Sequence, residues 1–503
     1  MYLFIHRKDL RAGDLRAFDY AASLGMPGIH ALILDPAQLG NGRAESHPGR
    51  HFLRAAGMLQ RDYAAQGAEL QLLHGDPADV LDDLLEREPI REVVVTADHT
   101  PYARRRDERL AAVCRSRGVR WTALEDVPLA DLDAFQEQTG RKEPYRVFTP
   151  FYRAWNGYVR SRLAPPPAVA AGGLPTARLS GGGSWSVPGE LIGLLAAAVP
   201  EDERPERQLE RFLGGSLQAY EELRDRYALD AGSGLSRWLN VGALSAQRAY
   251  GLALDAARTE DGREPLAFGG AAGWRADAAS QLELALPGSG EGPGSAPRDP
   301  SAAAARSGAE SWIRQLAWRE FYLYQARFDA DFFRYEEQVD LSGLTERHAE
   351  AWRQGRTGIP LIDAAMTQLR TTGELPNRLR MIAAMFLCKN LLAPFTAGER
   401  WFREQLLDYD ATLNRGGWLW SSSLGFDAAP YFRIMNPVVQ SKRWDPDGAY
   451  IRRWLPERAG WSAAAVHEPS PQAVVDLKAS RARAIETYKR LLAKPSRPLD
   501  RLH

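Results

Sequence analysis

The chain has 503 residues, enough for about three domains of ordinary size or two large ones, and its 45% hydrophobic content supports substantial cores. Lysine plus arginine and aspartate plus glutamate number 64 each, so any nucleic-acid contact has to come from a local basic face. Two cysteines, Cys114 and Cys388, exclude a disulfide-stapled scaffold, and no apolar run approaches the ~20 residues of a bilayer span. Charge is reached by Arg7, which leaves no secretory leader pattern. The expectation is a soluble cytoplasmic monomer with no metal site.

Short apolar runs at Tyr2 to Ile5, Ile29 to Leu34, Leu70 to Leu73, Glu92 to Thr96 and Val119 to Leu124 alternate with amphipathic stretches such as His51 to Tyr63 and Tyr102 to Ser116. That rhythm predicts an α/β domain over residues 1–130, a doubly wound parallel sheet covered on both faces. No Gly-x-Gly-x-x-Gly follows the first strand, where His6-Arg7-Lys8-Asp9-Leu10-Arg11 stands instead, so a nicotinamide dehydrogenase is disfavoured. Residues 131–205, with Pro165-Pro166-Pro167 and Gly181-Gly182-Gly183, read as an interdomain linker. From 206 to 490 helical spacing dominates: Gln208 to Tyr227, Ala243 to Arg258, Trp312 to Phe328, Pro360 to Thr371 and Asn377 to Leu392. A Gly/Ser/Pro-rich run near 287–305 reads as a flexible insertion in this all-α half.

The most informative segment is Asn414-Arg415-Gly416-Gly417-Trp418-Leu419-Trp420, continuing through Asp427-Ala428-Ala429-Pro430-Tyr431-Phe432-Arg433-Ile434-Met435-Asn436-Pro437. It joins an amide, a glycine pair that lets backbone approach a bulky ligand, and two indoles that can stack or pass electrons. A single Trp-x-Trp would read as buried core, and Asn414 alone as a helix cap. Taken whole, the segment resembles the flavin-binding signature of the DNA photolyase/cryptochrome family. Three upstream blocks share the resemblance in order and spacing: Tyr220 with Ser233-Gly234-Leu235-Ser236, Trp312 to Tyr322, and Asn377-Arg378-Leu379-Arg380-Met381.

The resemblance implies noncovalent FAD in an all-helical domain behind an α/β antenna domain. It assigns cofactor contacts to Tyr220, Gly232, Ser233, Gly234, Leu235, Ser236, Trp312, Arg319, Arg380, Asp408, Tyr409, Asp410 and Asn414. Hydroxyls such as Ser233 and Ser236 suit phosphate oxygens, and Arg319 offers a planar charged fork. Gly232 stands where the family usually has threonine. Arg380 and Asp408 match an ion pair beside the isoalloxazine ring, and Asn414 matches the residue facing flavin N5, which is Asn in photolyases but Asp or Cys in plant or insect cryptochromes. The implied antenna is a folate, a deazaflavin, another flavin, or none.

Damaged DNA carrying pyrimidine dimers is the implied partner. A buried flavin requires the lesion to leave the duplex stack, so its pocket needs aromatic or thioether walls and a few polar groups. Trp318, Trp420 and Met381 match the walls, with Gln315, Asn377, Arg378, Arg319 and Tyr322 beside them and Arg224 and Gln440 further out. Arg224, Arg378, Lys442 and Arg443 could supply phosphate grip, with plain solvated charge as the other reading for the last two. Members acting on (6-4) photoproducts have two histidines at the positions of Asn377 and Met381, because that chemistry moves a proton. Their absence points to cyclobutane dimers. The expected activity is therefore light-driven dimer repair with Asn414, Trp418, Gln315 and Met381 as the central residues, and a cryptochrome-like photoreceptor is the alternative.

Two departures qualify the pattern. Gln315 replaces a glutamate that bonds the 5′ base of the lesion, and an amide cannot carry negative charge. Of the family's three-tryptophan relay only the innermost, Trp418, is present, because Phe395 and Ser342 occupy the middle and outer positions. Photoreduction by the standard route is expected to fail after the first hop, with Trp401 as a substitute donor or a core residue.

Overall fold

The computed structural model describes residues 1–163, 166–180, 185–229, 231–257 and 300–493, with side chains from 307 onward in the last stretch. Five parallel strands, β1 (Tyr2–His6), β2 (Gly28–Leu34), β3 (Gln71–His74), β4 (Glu92–Thr96) and β5 (Arg120–Leu124), form one sheet in the order β3-β2-β1-β4-β5. β1 and β4 are buried along their whole length, which is why their sequences are apolar without alternation. Helices His47–Ala65, Pro77–Arg87 and Pro101–Ser116 cover the sheet, each with Pro at its first turn and a Ser, Asp or Thr side chain capping its N-terminus.

The strand order reverses between β1 and β4, and the crevice at their carboxyl ends is where open α/β sheets take ligands. Here the loop after β1 fills it with charge. Arg7 reaches Asp107 at 2.8 Å and the Thr96 carbonyl at 3.1 Å, and Asp9 accepts the Arg7 backbone N–H at 2.7 Å and faces His6 at 3.1 Å. Lys8 points the other way, to the helical half.

Residues 131–205 are more ordered than a linker. Three α-helices, Leu132–Thr139, Phe148–Arg162 and Gly189–Ala196, stand in this stretch, and the second buries Phe148, Phe151, Tyr152, Trp155 and Val159. Phe148 stacks flat on Trp318 at 3.7 Å, and Phe151 meets Phe321 at 5.0 Å, so this helix packs on the long Pro300–Phe328 helix. Past Leu163 the chain returns to the sheet, where Ala171 bonds the Ala12 carbonyl at 2.9 Å and Thr176 bridges Gly28. The proline and glycine content that suggested a linker sets irregular backbone, and burial of five large apolar side chains fixes its upstream part.

Pro360–Thr372, Asn377–Met385, Phe395–Gln405, Ala411–Ser421, Pro437–Trp444 and Leu477–Ala493 are the main elements around a second core, while Ser236–Val241 and Ala246–Ala256 bury Trp238, Leu239, Ala249 and Tyr250 in the core that also holds Tyr2 and Phe4 of β1. The expected Gln208 to Tyr227 helix is interrupted: Pro205–Arg211 passes into a π-helical turn at Phe212–Ser216, centred on Gly214 and Gly215, before Tyr220–Leu223 resumes. Two consecutive glycines cost a helix about 1 kcal/mol each, enough to let packing choose the wider turn. Asn377–Met385 likewise ends in a π-helical turn, Phe386–Asn390. The flexible insertion expected near 287–305 lies outside the described residues as far as 299, and from Pro300 the backbone is helical.

Candidate flavin and lesion site

The loop at residues 232–236 is shaped by Gln208. Its Nε2 donates to the Ser233 carbonyl at 3.0 Å while its Oε1 accepts the Trp238 indole N–H at 2.8 Å. Gly234 turns the chain at φ +62°, and a Cβ there would lie 2.1 Å from Gln208 Nε2, so only glycine fits. Leu235 is buried beneath, whereas Gly232, Gly234 and Ser236 are exposed and nothing lies within 4 Å of where a Gly232 Cβ would stand. The loop thus presents backbone N–H groups and hydroxyls to an open space, which suits phosphate oxygens. Tyr220 and Trp312 pack on Phe212 at 5.5 and 5.6 Å and form an adjoining aromatic wall, with Arg224 over the Tyr220 ring at 5.8 Å.

Opposite stands the run Asp408-Tyr409-Asp410. Arg380 Nη2 contacts both Asp408 oxygens at 2.9 and 3.0 Å, and its Nε donates to the Leu375 carbonyl at 2.7 Å. Asn240 holds the Tyr409 carbonyl at 2.5 Å. Asp410 has a different task from the cofactor contact expected of it. One of its oxygens caps the Ala411–Ser421 helix by accepting from Thr412 and Leu413 at 2.9 and 3.0 Å, and the other takes Lys8 Nζ at 3.1 Å. Burial pushes the Asp410 carboxyl up, but Lys8 and the Leu413 N–H more than offset this and hold it below its ordinary value. Asp410→Ala should therefore cost about 1–2 kcal/mol, a lost cap plus a lost ion pair to a Lys8 that still faces Asp98, measurable by urea unfolding. Because the folded pKa is depressed, this contribution is present above about pH 4 and fades as pH falls through the folded value.

The capped helix carries the expected centre. Asn414 is nearly buried and its Nδ2 donates to the Glu399 carbonyl at 3.1 Å, which leaves Oδ1 as the free acceptor. Trp418 is buried against Gly398, where a Cβ would come within 2.0 Å of the indole, so that glycine is the seat of the ring. Gly416 serves a side chain and not a ligand: Tyr322 occupies the space of its missing Cβ at 2.2 Å, and Gly417 alone faces open space. Arg415 is locked among Glu336, Glu399 at 2.8 Å and the Phe395 ring at 5.5 Å.

The lesion-facing set is brought together only in part. Gln315 and Trp318 lie one turn apart on the Pro300–Phe328 helix, and Gln315 Nε2 and Trp318 Nε1 are buried donors without a partner. Asn377 and Met381 lie one turn apart on the Asn377–Met385 helix, with Asn377 Nδ2 at 3.6 Å from Met381 Sδ. Tyr322 packs at 5.9 Å from Trp318, with its hydroxyl pKa raised by burial. Other members are corrected. Trp318 offers one face at most, since Phe148 covers the other. Trp420 is 7% exposed and Gln440 5%, so neither stands on an accessible wall or outer rim here. Arg378 is neutralised by Asp225 and laid over Trp444 at 4.8 Å, and Lys442 is paired with Glu468 at 2.7 Å. Arg319 donates to the Val127 carbonyl at 3.1 Å beside buried Glu320, which accepts the Ala130 N–H at 3.2 Å. These two residues tie the long helix to the segment after the sheet.

Sequence reasoning missed Lys8, Gln208, Gly398, Glu399 and Trp352. The last meets Trp418 edge to face at 6.2 Å and is fully buried. Nothing local to these residues marks them.

The DNA photolyase family matches residues 2–170, and the FAD binding domain of DNA photolyase matches residues 312–494. A deoxyribodipyrimidine photo-lyase of Thermus thermophilus is 33% identical over 95% of this chain and 96% of its own length. The chain belongs to the DNA photolyase family. The photo-lyase of Vibrio cholerae is 30% identical over 97% of this chain and 99% of its own. Among solved structures, a bacterial class III photolyase from Agrobacterium tumefaciens has a TM-score of 0.75 at 26% identity, covering 98% of both chains. A Synechocystis cryptochrome, 22% identical with a TM-score of 0.75 and covering 98% of this chain and 99% of its own, shares the fold. Photolyases of this architecture use FAD, and the residues present fit it: an open phosphate loop, a paired arginine and an oriented amide acceptor.

Proposed function

We propose that this photolyase splits cyclobutane pyrimidine dimers, acting as a monomer on DNA in the cytoplasm, where buried and unpaired Cys114 and Cys388 suit a reducing compartment. Bound FAD, in its reduced form, supplies light-driven donation of one electron to the dimer. The protein orients and excludes. The Ser233 and Ser236 loop would hold phosphates, the Arg380/Asp408 pair would supply a fixed charge to the flavin, and Asn414 Oδ1 would be free to accept an N–H from it. Trp318 and Met381 offer an apolar wall to an extruded dinucleotide, and the unpartnered amide N–H of Gln315 can donate to a base carbonyl.

The observation that carries dimer specificity is the Asn377/Met381 pair, adjacent at 3.6 Å and without a group that titrates near neutral pH. Ring opening after electron injection needs no proton, whereas (6-4) repair does. Photolysis of defined lesion oligonucleotides tests it. Gln315 favours a second reading, a photoreceptor with little repair, and one substitution separates the two. Gln315→Glu should raise the quantum yield of dimer repair severalfold, because the carboxylate, in place of the amide's donor contact, can accept a base N–H in a charge-assisted bond about twice as strong as a neutral one. Its flavin content should not change, since the side chain lies on the lesion side. An unchanged or lower yield would show that the pocket is built around the amide.

A further inference from the structure

We propose that Trp352 is the second donor behind Trp418, replacing the missing middle member of the relay. This rests on the flavin reading above.

Four observations carry it. Trp418 and Trp352 meet edge to face at 6.2 Å between ring centroids with planes at 74°, and Phe402 packs against both, at 5.0 Å from Trp418 and 5.9 Å from Trp352. Trp352 donates its indole N–H to the Ala383 carbonyl at 3.0 Å, while Trp418 Nε1 is buried without a partner. A carbonyl dipole aimed at the N–H stabilises positive charge on that indole and not on the other, so an electron vacancy moves downhill from Trp418 to Trp352. The usual middle position is closed, because Phe395, buried beside the paired Arg415 guanidinium at 5.5 Å, carries a phenyl ring that is not easily oxidised. Finally, Trp352 sits on a five-residue helix, Ala349–Arg353, whose Glu350 is exposed, so the vacancy is carried toward the surface.

The step balances as a single electron transfer. Trp418, having given one electron to photoexcited oxidised flavin, is a radical cation; one electron passes from Trp352 to Trp418, which becomes neutral, and Trp352 holds the radical cation. No bond forms or breaks. The proton stays on Trp352 Nε1, because a backbone carbonyl is too weak a base to remove it, and an added thiol supplies the electron that restores Trp352. Trp401 is not part of this path, since the ring neighbours of Trp418 among the described residues are Trp352 and Phe402.

The test is flash photolysis of the oxidised, FAD-loaded protein with and without thiol. Trp352→Phe should shorten the tryptophan radical lifetime at least tenfold and lower photoreduction to the same degree, whereas Trp401→Phe should change neither. Dimer repair by chemically reduced protein should be equal in wild type and Trp352→Phe, which separates an electron-transfer role from a packing role. Should Trp352→Phe not fold, Trp352→Tyr keeps a hydrogen-bonding ring, and its phenol, with no base to take the proton, should behave as Phe does. In flavin-free protein the exciton couplet of the indole pair in far-ultraviolet circular dichroism should vanish in Trp352→Phe and in Trp418→Phe alike. An unchanged radical lifetime in Trp352→Phe, or a couplet indifferent to it, overturns the proposal. A wild-type protein that takes up no FAD overturns the flavin reading and this step with it.

Discussion

Arg380→Met should give a protein that purifies without flavin and unfolds more easily by about 2–3 kcal/mol, while wild type purifies coloured with FAD in each chain. Asp408 is nearly buried and, among the described residues, its ion-pair partner is Arg380, so removing the guanidinium strands a carboxylate in the protein interior. The figure is taken below the full range for a buried pair because the arginine side chain is 28% exposed. Flavin loss has a second cause: Arg380 Nε also fixes the Leu375 carbonyl, at the start of the helix that carries Asn377 and Met381. The double variant Arg380→Met/Asp408→Leu should recover most of the stability but none of the flavin, because two apolar groups relieve the stranded charge without restoring the pair. Urea unfolding and the flavin absorbance of the same preparations read both effects. Full flavin content in Arg380→Met would remove the ion pair from the site.

Asn414→Asp should lower dimer repair at neutral pH by on the order of tenfold or more, with the helix intact. In wild type the Nδ2 donor is used by the Glu399 carbonyl, which turns Oδ1 toward the ligand space. A carboxylate has no such donor. It would face the carbonyl with like partial charge, lose the orientation of the amide, and place negative charge where electrons must depart and return. Asn414→Ser is the comparison, since a hydroxyl can still donate to Glu399 and should retain more activity than the acid. Repair yield per absorbed photon, measured with chemically reduced protein, ranks the three. Equal yields for Asn and Asp would mean that the amide does not face the reacting ring.

Local pattern made the fold readable, and pairing across the chain made the rest unreadable. β1 and β4 announce themselves as apolar runs because both faces are buried, and the capped helices by Pro and Ser, Thr or Asp at their starts. The Arg380/Asp408 pair was legible through motif spacing. What the motif could not supply was the second partner of each charge. Arg378 looked like a phosphate ligand until Asp225 came against it, and Asp410 like a cofactor contact until Lys8 arrived from the first loop of the sheet. Gln440 and Trp420 looked exposed because polar or aromatic identity says nothing about which helix covers them. Trp352 is the plainest case: nothing in its own segment marks it, and only tertiary packing puts it beside Trp418. The glycine pair at 416 and 417 was read as room for a ligand, whereas Gly416 makes room for Tyr322, a purpose that glycine identity alone cannot distinguish.

The central claim is that Asn377 and Met381, together with Gln315 and Trp318, make this a cyclobutane dimer lyase. Its most direct test is illumination of chemically reduced protein with two oligonucleotides of one sequence, one carrying a cyclobutane thymine dimer and the other a (6-4) photoproduct, each with a dark control. Restoration of the dimer strand in light only, with the (6-4) strand unchanged, is the predicted result; repair of the (6-4) strand, or no dimer repair with fully reduced flavin, would contradict it.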